Sequence, residues 1–100
     1  MKVITLCGSM RYSDQMKKIA RDLEGDEGYC VLQPVYKYQK KIDEFAELQN
    51  IYASHNKKIE ISDAIYVVNI DGYIGEATKN EIAFAKSKGK EIIYHEPIKG

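Results

Sequence analysis

The chain has 100 residues, which is near the common size of one domain and long enough to bury a core without disulfides or a metal. Its 15 Lys and Arg balance its 15 Asp and Glu, so the net charge is zero. This balance argues against a nucleic-acid or membrane partner, because such binding depends on clustered basic charge. A small anionic ligand is still allowed, since one Arg and a few N–H groups can hold a phosphate.

The chain opens with elements typical of a βαβ unit. A β-branched apolar run at residues 3–7 predicts a strand that is covered on both faces. Apolar residues at helical spacing predict a helix over residues 13–25, with Ser13 as its N-cap. A second strand is predicted at residues 29–32, and the loop at residues 33–38 is extended because it contains a proline.

The second half of the chain repeats this alternation of strands and helices. A long helix is predicted from residue 42 to about residue 62, followed by a strand at residues 64–69. Residues 71–75 form a turn-rich loop, because two of them are glycines. A last helix is predicted over residues 78–87, and a last strand over residues 91–94.

The two cysteines, Cys7 and Cys30, lie in apolar runs and lack the spacing of metal ligands. We therefore predict buried, reduced thiols, with neither a disulfide nor a metal site, and no cofactor. The N-terminus leads directly into a strand, so no signal peptide is predicted. No apolar run approaches the ~18 residues that a membrane helix needs. A cytoplasmic location is the expectation.

The alternation of strands and helices predicts a mainly parallel sheet with helices on both faces. We expect an α/β fold, a flavodoxin-like or Rossmann-like three-layer sandwich of about four strands in the order 2-1-3-4, as a single domain over residues 1–100. In such sheets ligands bind beyond the carboxyl ends of the strands, where the strand order reverses. That point lies between the first and third strands, where residues 8–11 and 69–78 form the loops.

The loop after the first strand has the residue types of a phosphate site. Gly8 lets a ligand approach the backbone, Ser9 offers a hydroxyl, and Arg11 offers a fork of donors. The helix that starts just beyond adds N–H groups that favour an anion. The loop has neither the Walker nor the dinucleotide glycine pattern, and an ordinary turn with a surface Arg explains it equally well.

The last helix supplies the candidate catalytic carboxylate. Thr78 and Glu81 have the spacing of a capping box, which is a purely structural use. Alternatively, Glu81 lies in the first turn of a helix that starts at the ligand-binding edge, where it can act as a nucleophile or stabilise a cationic sugar. Glu76 and Asp71 are the rival carboxylates.

Three motifs together resemble the nucleoside 2-deoxyribosyltransferase superfamily, which includes the deoxynucleoside 5′-monophosphate N-glycosidases. They are CGSMR after the first strand, SDAIYVVN at the third, and G-x-x-T-x-x-E-I-x-x-A-x-x-x-G-K at the last helix. The resemblance spans nearly the whole chain. It implies cleavage or transfer of the N-glycosidic bond of a nucleoside or its 5′-monophosphate.

The resemblance also implies roles for individual residues. In this family the Glu at the position of Glu81 is the nucleophile, and a second base or water then takes the sugar. Gly8, Ser9, Met10 and Arg11 match the loop that holds the 5′-phosphate in the monophosphate-cleaving branch. Members of the family form dimers, so a homodimer is expected.

The sequence departs from the family pattern at several places. Thr5 stands where members often have a tyrosine that orients the nucleophile, and His55 stands where they have a sugar-binding Asp. His55 also lies on an apolar helix stripe, so a packed histidine is the alternative. Gly75 and Thr78 belong to a loop before Glu81 that differs from the family. A non-catalytic nucleotide-binding module is therefore the alternative function.

Overall fold

The computed structural model describes residues 1–36 and 45–98, and these contain one four-stranded parallel sheet. The strands are β1 (Val3–Gly8), β2 (Cys30–Leu32), β3 (Ala64–Val68) and β4 (Glu91–Tyr94). Their order is β2-β1-β3-β4, with β1 and β3 in the centre. The predicted α/β class and strand order are confirmed.

Three helices cover the two faces of this sheet. They are α1 (Ser13–Gly25), α2 (Phe45–Ile61) and α3 (Glu76–Ser87). Helix α1 packs on one face, and α2 and α3 pack on the other, as right-handed crossovers require for this strand order. Two short 3-10 turns, Met10–Tyr12 and Ile70–Gly72, follow the two central strands in stretches that the sequence predicts as loops.

The side chains of β1 alternate between two hydrophobic cores. Because successive strand residues point to opposite faces, Leu6 packs toward α1 and Cys7 packs toward α2 and α3. The buried residues of the first core are Leu6, Met16, Ala20, Leu23, Val31 and Val68. Those of the second core are Cys7, Ile59, Ile65, Val67, Ile82 and Ala85.

Helix α1 begins differently from the sequence prediction. Ser13 is its first helical residue and does not cap it, since the N-cap position is Tyr12 and no side chain bonds there. Ser9 caps the preceding 3-10 turn instead, because its Oγ accepts the N–H of Arg11 at 3.3 Å. The chain leaves β1 through a capped turn, which starts the helical geometry ahead of Ser13.

Helix α3 also begins earlier than predicted. It starts at Glu76, with Gly75 as an extended N-cap residue that makes no side-chain hydrogen bond. The predicted capping box of Thr78 and Glu81 is therefore wrong, because Thr78 already lies inside the helix. Glu81 lies in the second turn of α3 and not in the first.

Some of the sequence predictions concern residues or properties that the described structure does not include. The predicted helix at residues 42–62 corresponds to α2, and its residues 42–44 lie outside the described residues, as do residues 37–38 of the predicted loop. None of the described helices has the length and apolarity to cross a bilayer. The homodimer and the cytoplasmic location stay predictions.

Gly8 ends β1 at a point where the sheet and α1 come very close. A Cβ at this position would lie 3.1 Å from Met16 Sδ and 3.1 Å from Val68 Cβ. Both distances are tighter than ordinary contacts, and Val68 is held by the sheet. The absence of a side chain at Gly8 therefore lets α1 pack against the end of β3.

Gly8→Ala is expected to lower the free energy of unfolding by about 1–3 kcal/mol, because the added methyl overpacks this contact. Gly25→Ala is the matched control, since a Cβ there meets nothing within 4 Å. The control variant is expected to be as stable as the parent or slightly more stable. Urea unfolding monitored by circular dichroism measures both, and equal stabilities of the two variants would contradict the packing argument.

Candidate active site

The candidate site lies at the carboxyl ends of β1 and β3, where Gly8 pairs with Val68 in the parallel register. The strand order reverses at this point. Two adjoining cavities of about 390 and 540 Å³ open here. They share a wall that consists of Tyr52, His55, Glu76, Ala77 and Glu81.

The smaller cavity brings together all of the predicted site residues except Arg11. Those that line it are Gly8, Ser9, Met10, His55, Gly75, Thr78 and Glu81. Val35, Tyr52 and Tyr73 also line this cavity and are exposed at its rim. The larger cavity adds the aromatic ring of Phe84 and the amide of Asn80.

The guanidinium of Arg11 lies beside the smaller cavity and not in its wall. Its central carbon is 4.0 Å from the ring centroid of Tyr73, a cation–π contact. Tyr73 lines the cavity and packs edge-on against Tyr12, with the ring centroids 6.3 Å apart. Sequence reasoning missed Tyr73, because nothing in the loop pattern indicates which aromatic ring meets Arg11.

Glu81 contacts a histidine and a cysteine from two other elements. Its Oε2 lies 3.4 Å from His55 Nε2, and the same nitrogen lies 3.6 Å from Cys7 Sγ in a hydrogen bond. The ligating atoms of the three side chains all lie within 4.8 Å of one another. We call Cys7, His55 and Glu81 the triad.

The positions of the triad follow from the packing of the second core. Cys7 points to this face because β1 alternates, and His55 lies one turn before the fully buried Ile59 on α2. Glu81 immediately precedes the buried Ile82 on α3. Sequence analysis named Glu81 and His55 as candidate site residues, whereas Cys7 and the contacts that join the three side chains are found only from the fold.

His55 is both packed and part of the cavity wall. Only 8% of the residue is exposed, as a packed histidine requires, and its Nε2 still reaches the carboxylate of Glu81. Its Nδ1 is buried and has no hydrogen-bond partner within residues 1–36 and 45–98. The two interpretations from the sequence, a packed histidine and a site residue, are therefore compatible.

Thr5 has a structural role in this fold. Its Oγ1 is buried 2.6 Å from Ser62 Oγ, and Ser62 in turn donates to the carbonyl of Lys58 at 2.7 Å. This chain of hydrogen bonds joins β1 to the end of α2. Thr5 thus satisfies buried polar groups of this fold.

The rival carboxylates lie in more exposed positions than Glu81. The side chain of Glu76 is 84% exposed and lies 3.8 Å from Lys79 on the same helix, whereas that of Glu81 is 25% exposed. Asp71 is exposed in the turn after β3, with a positive φ of 56°. Its N–H donates to the carboxylate of Glu96 at 2.9 Å. Glu81 alone of these carboxylates is part of the triad.

No family model and no curated protein matches this sequence. Among solved structures, the chain is similar to the 2-deoxyribosyltransferase of the psychrotolerant bacterium Bacillus psychrosaccharolyticus, with a TM-score of 0.66 and 17% sequence identity. The match covers 97% of this chain and 77% of that one. At this identity the similarity shows that the two chains share a fold, which is the fold that the sequence motifs led us to expect.

The Cys7 thiol is expected to be unreactive in the folded protein. Burial raises its pKa well above the ordinary value, and the negative charge of Glu81 adds to this effect, so little thiolate forms at pH 8. We expect Cys7 to react with Ellman's reagent at least about 100-fold more slowly than the half-buried Cys30, and to react fully only in denaturant. Cys30→Ser should remove the fast phase. Equal rates for the two thiols would contradict this prediction.

Proposed function

We propose that this protein cleaves or transfers the N-glycosidic bond of a nucleoside or nucleoside 5′-monophosphate, with Glu81 as the nucleophile. The observation that carries the proposal is the position of the Glu81 carboxylate. It lies at the point where the strand order reverses, in the wall that two cavities share, and 3.4 Å from His55 Nε2. The fold shared with a 2-deoxyribosyltransferase supports the same chemistry.

The two cavities suit the two halves of a nucleoside. The smaller cavity borders Gly8, Ser9 and Met10, whose backbone and hydroxyl groups suit a sugar and its phosphate. The larger cavity is lined by Tyr52 and Phe84, whose rings suit a flat base. An anomeric carbon at the boundary between the cavities lies next to Glu81.

The proposed reaction has two displacements at the anomeric carbon. A carboxylate oxygen of Glu81 bonds to this carbon as the bond to the base nitrogen breaks, and the base leaves with the electron pair and takes up a proton. The transition state has oxocarbenium character, which the carboxylate stabilises. Water or a second base then attacks the same carbon, loses a proton, and releases the carboxylate.

His55 is proposed as a positioning residue in this reaction. The tyrosine position of the family is occupied by Thr5, whose hydroxyl bonds to Ser62. His55 Nε2, which also lies 3.6 Å from Cys7 Sγ, is the buried polar group that contacts the nucleophile. This contact keeps the Glu81 side chain at the boundary of the two cavities.

Arg11 is proposed to bind the 5′-phosphate when a monophosphate is present. Its partner Tyr73 lines the smaller cavity, so a change of side-chain rotamer carries the guanidinium from the ring to a phosphate beside Ser9. A non-catalytic nucleotide-binding module would use the same loop. The commitment of Thr5 to Ser62 favours that second candidate, whereas the triad around Glu81 favours an enzyme.

Glu81→Gln is expected to lower base release by at least about 1000-fold, because an amide does not form the glycosyl ester. Nucleotide binding should survive, since the two side chains have nearly the same shape. Free base is measured by chromatography after incubation with the deoxynucleosides and their 5′-monophosphates, with and without an acceptor base.

Glu76→Gln is the matched control, since Glu76 belongs to the same helix and the same cavity wall but is exposed. This variant should keep base release within a few-fold of the parent. An equal loss of base release in Glu81→Gln and Glu76→Gln would contradict the role of Glu81 as the nucleophile. Binding without base release in the parent protein would establish the nucleotide-binding module instead.

Arg11→Ala is expected to raise KM for 5′-monophosphates by about 10- to 100-fold, the value of a hydrogen-bonded charge pair, and to leave KM for free nucleosides nearly unchanged. The control is Arg21→Ala, which removes an exposed arginine of α1 that lines neither cavity. Steady-state base release measures both variants. An equal change of KM for phosphorylated and free substrates would contradict a phosphate role for Arg11.

A further inference from the structure

The triad contains three different metal-ligating groups from three separate elements. Cys7 comes from β1, His55 from α2 and Glu81 from α3, and their ligating atoms lie within 4.8 Å of one another. A thiolate, an imidazole and a carboxylate are the ligands that zinc uses in proteins. The sequence predicts no metal site, because the cysteines lack the spacing of metal ligands and a nearby pair of histidines.

Two of the three distances within the triad match those of ligands on one tetrahedral ion. From the zinc–ligand bond lengths, a sulfur and an imidazole nitrogen on the same tetrahedral ion lie about 3.6 Å apart, and an imidazole nitrogen and a carboxylate oxygen about 3.4 Å apart. Cys7 Sγ lies 3.6 Å from His55 Nε2, and Nε2 lies 3.4 Å from Glu81 Oε2. Glu81 borders the cavities, so its carboxylate can turn toward the sulfur.

His55 can offer its Nε2 lone pair to an ion. In the metal-free protein Nε2 faces the Glu81 carboxylate at 3.4 Å, and this contact favours the ring proton on Nε2. The buried Nδ1 has no hydrogen-bond partner within residues 1–36 and 45–98, so no donor in that part of the chain prevents the proton from moving to Nδ1 when an ion takes the Nε2 lone pair. The ring is fixed by packing, since only 8% of the residue is exposed. Nε2 therefore points at Cys7 and Glu81 in either tautomer.

The surroundings leave one coordination position open. Cys7 closes the site on the side of the sheet, where 1% of the residue is exposed, while His55 and Glu81 border both cavities. An ion held by the three side chains thus has a fourth position that faces the cavities. Three protein ligands with one open position are typical of catalytic zinc sites.

We propose that Cys7, His55 and Glu81 form a binding site for Zn²⁺ or a divalent ion of similar preference. The thiolate and the imidazole select zinc and cobalt over magnesium and calcium, which prefer oxygen ligands. Binding releases one proton from the Cys7 thiol, and the single imidazole proton moves from Nε2 to Nδ1. The thiolate and the carboxylate together balance the charge of the ion.

The ion and the proposed reaction compete for the same carboxylate. An oxygen of Glu81 that is bound to the ion does not attack an anomeric carbon, so the loaded protein does not form the glycosyl ester. This consequence rests on the proposed function, whereas the site itself does not. Zinc occupancy is therefore expected to switch base release off, and a chelator to restore it.

Binding of Co²⁺ to the full chain tests the site without any nucleoside. The protein is freed of metal with a chelator, kept reduced, and titrated with Co²⁺ while its absorption spectrum is recorded. We expect one equivalent to bind with a thiolate-to-cobalt charge-transfer band and the intense visible bands of tetrahedral cobalt. One equivalent of Zn²⁺ should abolish these bands.

Variants assign the ligands. Cys30→Ser, the control, should keep all bands, and Cys7→Ser should lose the charge-transfer band. Glu81→Gln should weaken Co²⁺ binding by at least about tenfold, because loss of even an outer-shell partner costs about 10–100-fold. Circular dichroism checks the fold of each variant, and Glu81→Gln decides the test if Cys7→Ser does not fold.

The proposal is overturned if one equivalent of Co²⁺ gives no charge-transfer band, if the band disappears in Cys30→Ser, or if Glu81→Gln binds Co²⁺ as tightly as the parent. Base release in chelator is measured separately. A protein that binds Co²⁺ through Cys7 but releases no base retains the metal site and loses the proposed function. A protein that releases base but binds no Co²⁺ retains the proposed function and loses the metal site.

Discussion

The burial of β1 between two helical layers is the constraint on which the rest of the structure depends. A strand with parallel neighbours on both sides and helices on both faces must send successive side chains into two different cores. Leu6 and Cys7 are consecutive, yet Leu6 packs in the core under α1 and Cys7 packs in the core under α2 and α3. Gly8, the next residue, has no side chain, which lets α1 approach β3. The site begins where this strand ends.

The candidate site inherits its geometry from the second core. His55 lies one turn from Ile59, and Glu81 is adjacent to Ile82, so the helices that are fixed by core packing also fix the reactive side chains. Groups carried on packed helices and on a strand are held more firmly than groups on loops. Loss of packing at Ile59 or Ile82 would therefore displace the carboxylate of Glu81 as well as lower the free energy of unfolding.

Much of the architecture could be predicted from the sequence, because strand and helix periodicities are local signals. The strand order and the edge of the sheet at which the loops meet follow from those signals and from the handedness of crossovers. The helix starts were less predictable, since the extended backbone at Gly75 begins α3 before Thr78. Contacts between distant elements, such as Cys7 with His55, leave no local pattern at all.

The stacking of Arg11 on Tyr73 has a consequence for the thermodynamics of anion binding. A long, exposed side chain normally loses up to about 2 kcal/mol of rotamer entropy when it becomes ordered. Arg11 has already lost part of this freedom on the ring of Tyr73, which is itself supported by Tyr12. When an anion draws the guanidinium away from Tyr73, the protein loses a cation–π contact of about 0.5–1 kcal/mol. In exchange, the anion binds a side chain that is already partly ordered near the cavity, so less rotamer entropy is lost on binding. A neutral ligand leaves Arg11 stacked on Tyr73, so its binding neither breaks the cation–π contact nor gains an ion pair.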